Sequence, residues 1–234
     1  MADFISVPFY DLFHENGHVP AIRASLPPLL TGVQRSVLEI GAGTGLITTS
    51  LAAWTPAEIF ALEPSAGMRA VLLSRLNSHP ELLNRVTVLP CDALSVKLDE
   101  PVEAAVMINV MYALDPDYRR RLWPALAASL ATAGLLIFTW SNAGPPAPRP
   151  LQQLGSRQVG RHTYTVLSEI LESGEQAWRA RYLYRITEGG KVISEEEITG
   201  CSWHPPWKVL KRELTDAGFI QEQGAERLLA WRLA

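Results

Sequence analysis

The stretch VLEIGAGTGLITTSLAAW, residues 37–54, decides the fold. Val37, Leu38 and Ile40 read as a short buried strand that runs into glycines at alternate positions, Gly41, Gly43 and Gly45. Apolar residues of helical period follow at Leu46, Ile47, Leu51 and Ala52. A strand that breaks into glycine and restarts as a helix gathers backbone N–H groups and a positive helix end at one point. The missing side chains let a ligand approach that point closely. Working outward, EIFALE (58–63) predicts the next strand, and Glu63 falls at its tip, about twenty residues past the glycine loop. In an open parallel sheet a carboxylate there can accept both hydroxyls of a ribose.

A dinucleotide fold requires the spacing G-x-G-x-x-G, and the third glycine of that spacing is Leu46 here. The chain has instead an acid before the turn, Glu39, and the run E-x-G-x-G-x-G through Gly41, Ala42, Gly43 and Gly45. This run resembles the first motif of the class I S-adenosylmethionine-dependent methyltransferases. The resemblance implies that Glu39 and the glycine loop hold the methionine end of S-adenosyl-L-methionine. EPSAGM (63–68) is similar to the family's acid-x-S-x-x-M pattern, which implies that Met68, after Pro64, flanks the adenine. Asp92 matches the family's acid at the tip of strand three, with Ala93 beside it as the partner of a ring nitrogen. Strand four, VEAAVMIN, ends at Asn109, and NVMYALD then resembles the family's N-V-L-H-H-L segment, with Asn109 and Val110 counted to the cofactor site. The position often held by histidine is Tyr112, so a commonly used general base is absent.

The resemblance implies a doubly wound α/β fold with a mostly parallel seven-stranded sheet and an antiparallel β insertion after strand five. The expected divisions are a helical lid (1–34), a cofactor-binding core (35–141), a β-rich insertion (142–205) and a closing helix and hairpin (206–234). In the lid, the Tyr10-Asp11 pair matches one common in small-molecule members; Tyr10 and His14 share a predicted helix face with His18. Asp115 and Pro116 open a helix expected over 115–134, its arginines 119–121 facing solvent. SNAGPPAPRP (141–150) can be neither helix nor central strand. Three β pieces are predicted after it, at 157–167, 176–187 and 191–200. Glu188-Gly189-Gly190 marks a hairpin, and Trp178, Tyr182 and Tyr184 give it one aromatic face.

A content of 47% hydrophobic and 19% charged residues suits a soluble globular chain, and a net charge of −3 offers no field for nucleic acid or an anionic membrane. MADFISVPFYDLF lacks the basic and apolar regions of a signal peptide, and no apolar run reaches membrane-span length. A cytoplasmic location is expected. Cys91 and Cys201 make neither a disulfide framework nor a metal site, and no metal is expected.

The function implied is methyl transfer to a small-molecule acceptor, at N or O, with a natural-product intermediate as the expected acceptor. Tyr10, His14 and Tyr112 are the candidate catalytic residues; His162 and His204 are further candidates for a base. A homodimer or heterodimer through the β insertion is open. Two alternatives share the fold: a cyclase, lyase or isomerase that binds the same cofactor, and a non-catalytic partner subunit.

Overall fold

The computed structural model describes residues 6–225 and 227–234. Residues 1–5 of the expected lid and Glu226 of the closing hairpin lie outside the described residues. Two short helices come first, α1 (Val7–His14) and α2 (Val19–Ser25), then a 3-10 turn at Pro27–Leu30. The core follows as β1 (Ser36–Ile40), α3 (Thr48–Trp54), β2 (Glu58–Leu62), α4 (Ala66–Asn77), β3 (Val86–Leu89), β4 (Val102–Met107), α5 (Pro116–Ser129) and β5 (Leu130–Thr139). A block of long strands follows, β6 (Arg149–Val159), β7 (His162–Ser173), β8 (Ala177–Glu188) and β9 (Lys191–Trp203). The chain closes with α6 (Trp207–Asp216), β10 (Phe219–Ala225) and β11 (Leu228–Leu233).

The first sheet has seven strands in the order β3-β2-β1-β4-β5-β11-β10. Strands β1 to β5 pair in parallel, and β11 enters antiparallel between β5 and β10. Ile40 is in register with Leu62 and Met107, Leu62 with Leu89, and Met107 with Phe138. The parallel strands therefore end level, and the loops after them emerge along one carboxyl edge. The strand order reverses between β1 and β4, successive strands being added on one side up to β3 and on the other from β4, and this opens the crevice where such sheets bind ligands. Both faces are apolar. Val37, Ile59 and Leu51 pack on one side, and Leu38, Met107, Trp123 and Phe138 on the other.

Two expectations for the core are corrected. The helix predicted over 115–134 stops at Ser129, because Leu130 turns extended and pairs with Val102 in the sheet. Ala133 at φ 58° then precedes the straight run of β5. Arg119 does not face solvent. It is buried at 1% exposure, donates to the Leu114 carbonyl (3.0 Å) and pairs with Glu213 of α6 (3.1 Å), which also accepts from Trp123 Nε1 (3.0 Å). Arg120 and Arg121 are exposed.

The second sheet is antiparallel, in the order β6-β7-β8-β9. The predicted piece at 157–167 is two strands, turned at Gly160 (φ 58°), and the predicted connection already joins the edge strand at Arg149 and Pro150. Proline is tolerated there because an edge strand has no second neighbour to satisfy. The Gly189-Gly190 turn forms as predicted, both residues at positive φ and Glu188 facing Lys191. Period-two alternation divides the two faces. Val166, Tyr182 and Tyr184 face α1, where Phe9 sits 5.2 Å from Tyr184 and 5.3 Å from Tyr164, ring centre to ring centre. Arg181, Glu169, Glu197, Arg185 and Glu195 form cross-strand ion pairs on the alternate positions.

Among the described residues no helix is long and apolar enough to cross a membrane. No group of three or more metal-ligating side chains is found among them either.

Candidate active site

The glycine turn takes its shape from backbone demands. Gly41 (φ 71°) donates to the Leu62 carbonyl (2.9 Å), and a Cβ on it would stand 2.6 Å from Val110 Cγ2. Gly45 (φ 84°) serves packing, since a Cβ there would stand 2.4 Å from Leu72 Cδ1 of α4. Gly43 lies beneath the Tyr10 ring, and its N–H donates to Glu63 Oε2 (2.8 Å). Glu63 Oε1 accepts from the Ser65 N–H (2.8 Å), so the carboxylate bridges the glycine loop to the start of α4. Asp92 is held similarly, its Oδ1 accepting from the N–H groups of Leu94 and Ser95 at 3.0 Å each.

These groups enclose a cleft at the carboxyl edge. Gly41, Gly43, Glu63, Pro64, Met68, Asp92, Ala93, Asn109 and Val110 all line it, with Tyr10 and Tyr112 closing one end. Glu39, Ala42 and Gly45 do not reach its wall. Glu39 lies beneath the loop at 2% exposure, and its Oε2 has no hydrogen-bond partner. Burial pushes its carboxyl up to about 8, against the Thr48 hydroxyl that stands beside it outside hydrogen-bonding geometry, and with the nearby Glu63 adding to the rise. A buried, unpartnered carboxyl calls for a cation or donor from a ligand. Tyr118, Cys91 and Ile108 also line the cleft and were not anticipated. Tyr118 had a signal: it stands three residues after the Asp115 cap, whose Oδ1 accepts its N–H, on the first turn of a helix at the carboxyl edge.

A second chamber, about 470 Å³, lies under the antiparallel sheet. Its walls come from Phe9, Tyr10, Phe13 and His14 below and from Val166, Trp178, Tyr182 and Tyr184 above. It meets the first cleft at Tyr10, Asn109 and Tyr112, which line both. A third cavity beyond Asn109, Tyr112, His18 and Trp178 is walled by Trp140, Trp203, His204 and Arg227. Asn109 and Tyr112 line all three, and Asn109 has an unusual backbone. It holds φ 57°, a left-handed conformation that asparagine tolerates better than most residues, and its N–H donates to Thr139 Oγ1 (2.6 Å). Asp11 fastens α1 over the loop by accepting from the Thr44 hydroxyl and pairing with Arg75, which also donates to the Thr44 carbonyl (3.0 Å).

The titratable groups at this junction divide clearly. Burial, helped by Asp11, Glu63 and Glu39, pushes the Tyr10 phenol up to about 12. Burial, with Tyr10, Tyr182 and Tyr184 nearby, also raises Tyr112. Both phenols are raised above their ordinary range and stay protonated at neutral pH. His14 lies in the second chamber with its pKa lowered by burial, opposed by Asp11. His204 lines the third cavity, whereas His162 starts β7 at the hairpin end and lines none of the three.

Residues 37–134 match the family model described as a methyltransferase domain. That segment is therefore similar to methyltransferase domains, and it spans β1 to the start of β5 in the parallel half of the first sheet. Uncharacterized methyltransferases of Mycobacterium bovis and Mycobacterium tuberculosis are 32% identical over 125 residues, covering 51% of this chain and 47% of theirs. The chain thus spans about half the length of the curated relatives it matches. Among solved structures, CalS10, an amino pentose methyltransferase from Micromonospora echinaspora, has a TM-score of 0.77 at 16% identity, covering 100% of this chain and 99% of the other. The sugar N-methyltransferase KedS8 from Streptoalloteichus has a TM-score of 0.76 at 19% identity, covering 99% and 94%. At such identities the likeness concerns the fold, and it extends over the antiparallel sheet as well as that matched segment.

Proposed function

We propose that the protein transfers a methyl group from S-adenosylmethionine to an amine on a small natural-product intermediate bound beneath the antiparallel sheet. The observation that carries this reading is the junction of two chambers at Tyr10, Asn109 and Tyr112. A carboxylate-lined cleft on one side suits a cofactor with a ribose and a cationic amino-acid end. An aromatic chamber on the other suits an acceptor of small-molecule size. In this reading Glu63 takes the ribose hydroxyls, Asp92 and Ala93 the adenine edge, and Met68 its face. Gly41 and Gly43 meet the amino-acid end, Glu39 acts on it from beneath the loop, Ala42 and Gly45 shape that loop, and Pro64, Asn109 and Val110 complete the wall.

The cofactor supplies a methyl carbon already activated by its sulfonium, so the protein's part is alignment and removal of a proton. Tyr10 and Tyr112 donate hydrogen bonds at the reacting centre and exclude water from it. His14, unprotonated at neutral pH, takes the acceptor's proton. An amine is favoured because it asks only for a mild base, and the likeness to CalS10, an amino pentose methyltransferase, and KedS8, a sugar N-methyltransferase, supports the same class. Residues 1–34 then act as a lid and the insertion 142–205 as the roof of the acceptor chamber.

The test is calorimetric titration with S-adenosylmethionine, S-adenosylhomocysteine and NADH, followed by an acceptor screen read by mass. Micromolar binding of the first two, none of the third, and a gain of one methyl by an amine are expected. An acceptor changed without that gain, or no binding of the sulfonium cofactor, rejects the proposal.

A further inference from the structure

Tyr10, His14 and His18 are four residues apart, the spacing that places side chains above one another on one helix face. The stack continues through the turn between α1 and α2. The Tyr10 and His14 rings are 4.4 Å apart between centres, and His14 and His18 are 4.9 Å apart. The two histidines face each other through their Nδ1 atoms at 3.3 Å. Two neutral imidazoles in contact there hold one proton between them. One ring carries Nδ1–H, and the other offers a lone pair.

The surroundings decide which ring holds it. Asp11 and Tyr10 of α1 face His14, Tyr112 and Tyr182 line the same chamber, and Arg227, between β10 and β11, acts on His18 from the third cavity. Asp11 favours a charged His14, whereas Arg227 disfavours a charged His18, so a proton added to the pair goes to His14, whose Nδ1–H then needs an acceptor at His18 Nδ1. Burial, then His14 and Arg227, bring His18 down to about 4, so the pair is neutral at pH 7. With its proton at Nδ1, the His14 ring has its free lone pair at Nε2.

We infer that His18 is a positioning residue for His14: its Nδ1 accepts the His14 Nδ1–H and so keeps His14 Nε2 open to take the acceptor's proton. The inference rests on the methyl-transfer reading for its purpose, though not for its geometry. In the step it serves, the acceptor's lone pair forms the new bond to carbon, and the C–S electron pair stays on sulfur. The acceptor's proton moves to His14 Nε2. The resulting imidazolium keeps its Nδ1–H on His18 Nδ1, and the added proton later leaves to solvent.

The experiment is long-range 1H–15N NMR of the full chain labelled with 15N-histidine, recorded at pH 8. His14→Gln and His18→Gln assign the two rings. In the wild type, His14 should be the Nδ1–H tautomer and His18 the Nε2–H tautomer. His18→Leu removes the acceptor, and His14 should revert mainly to Nε2–H, the form favoured by a free imidazole. His18→Gln should restore Nδ1–H, because an amide oxygen can accept the same proton. A wild-type His14 protonated at Nε2, or a tautomer indifferent to His18→Leu, overturns the inference. S-adenosylmethionine affinity, measured on the same samples, reports separately on folding and on the methyl-transfer reading. No binding by the wild type would remove the proposed reaction while the tautomers still decide the pairing. With an acceptor in hand, kcat should fall about 10–100-fold in His18→Leu, with cofactor affinity unchanged, and should recover in His18→Gln. An unchanged kcat would also overturn it.

Discussion

The cleft at the glycine loop and the chamber under the antiparallel sheet share a wall but are built differently. The polar groups of the cleft are backbone and short side chains at the ends of parallel strands, with apolar and aromatic residues such as Met68 and Tyr118 filling in from the helices. Gly41 follows β1, Glu63 follows β2, Asp92 lies just past β3 and Asn109 just past β4. The chamber is made of aromatic side chains from two remote segments, Phe9 and Phe13 from α1 against Tyr182 and Tyr184 from β8. Strand ends aligned in register impose one arrangement of donors and acceptors. Apolar packing between a short helix and a sheet is less demanding in direction, so such a chamber can accommodate different residues at similar cost.

The largest expected effect tests whether the two can be separated. Phe9, 4% exposed between Tyr164 and Tyr184, is the most buried apolar contact of α1 with the sheet, with Phe13 packed beside it. Phe9→Ala should destabilise by about 3–5 kcal/mol, the usual range for an emptied aromatic site, or less if α1 detaches locally. Thermal denaturation and limited proteolysis of α1 would measure it, and a stable, protected α1 would mean that Phe13 and the Asp11 contacts suffice to hold the helix.

Next in size is Glu63→Ala, which removes the acceptor of the Gly43 and Ser65 N–H groups and the proposed ribose partner. Cofactor affinity should fall by about 1–3 kcal/mol, roughly 5–150-fold, with acceptor affinity little changed. Calorimetry would detect this, and an equal loss on the acceptor side would contradict the division between the two chambers.

A smaller effect is a pH dependence confined to the cleft. The Glu39 carboxyl, pushed up to about 8 by burial, is mostly protonated at pH 6–7. A cationic ligand end favours the ionised form, so binding should release a proton. Affinity should rise with pH from 6 towards 8 by at most about tenfold per unit, and then level off. The linked effect on stability has the opposite sense. With the folded-state value raised, the stability contributed by this group is full below about 4.5 and is lost as pH rises through 8. Titrations in buffers of different ionisation enthalpy would count the proton, and Glu39→Gln should abolish its release.

The smallest effect belongs to the far end of the roof. Gly189→Ala puts a side chain at φ 54° in open surroundings, which should cost about 1–2 kcal/mol through the backbone alone. Cofactor affinity should not change, and calorimetry showing that it does would mean that the roof and the cleft are coupled more tightly than their contacts indicate.

Much of the cleft was legible because its chemistry sits in short motifs. E-x-G-x-G-x-G forces a particular turn, and an acid at a strand tip lands on the carboxyl edge wherever that strand pairs in parallel. Tyr118 escaped because it arrives from α5, whose placement over the edge depends on packing and not on spacing. Arg119 was misread because a run of three arginines reads as a solvated face. Only the approach of α6 supplies Glu213, a partner good enough to bury one of them. The extra strand of the second sheet was missed because β6 is a polar edge, with weak alternation and a proline at its start.

From the chain alone came the order of elements in the core, the glycine turn, the Gly189-Gly190 hairpin and the helix face shared by Tyr10, His14 and His18. All of these depend on neighbours a few residues away, where backbone geometry leaves little freedom. Only the tertiary structure decided which way the aromatic face of the second sheet points and that His14 and His18 meet through Nδ1. It also decided that Tyr10 and Tyr112 meet at the junction of the chambers. Those outcomes depend on burial and on groups far apart in the sequence, such as Arg227 acting on His18, which no local pattern records.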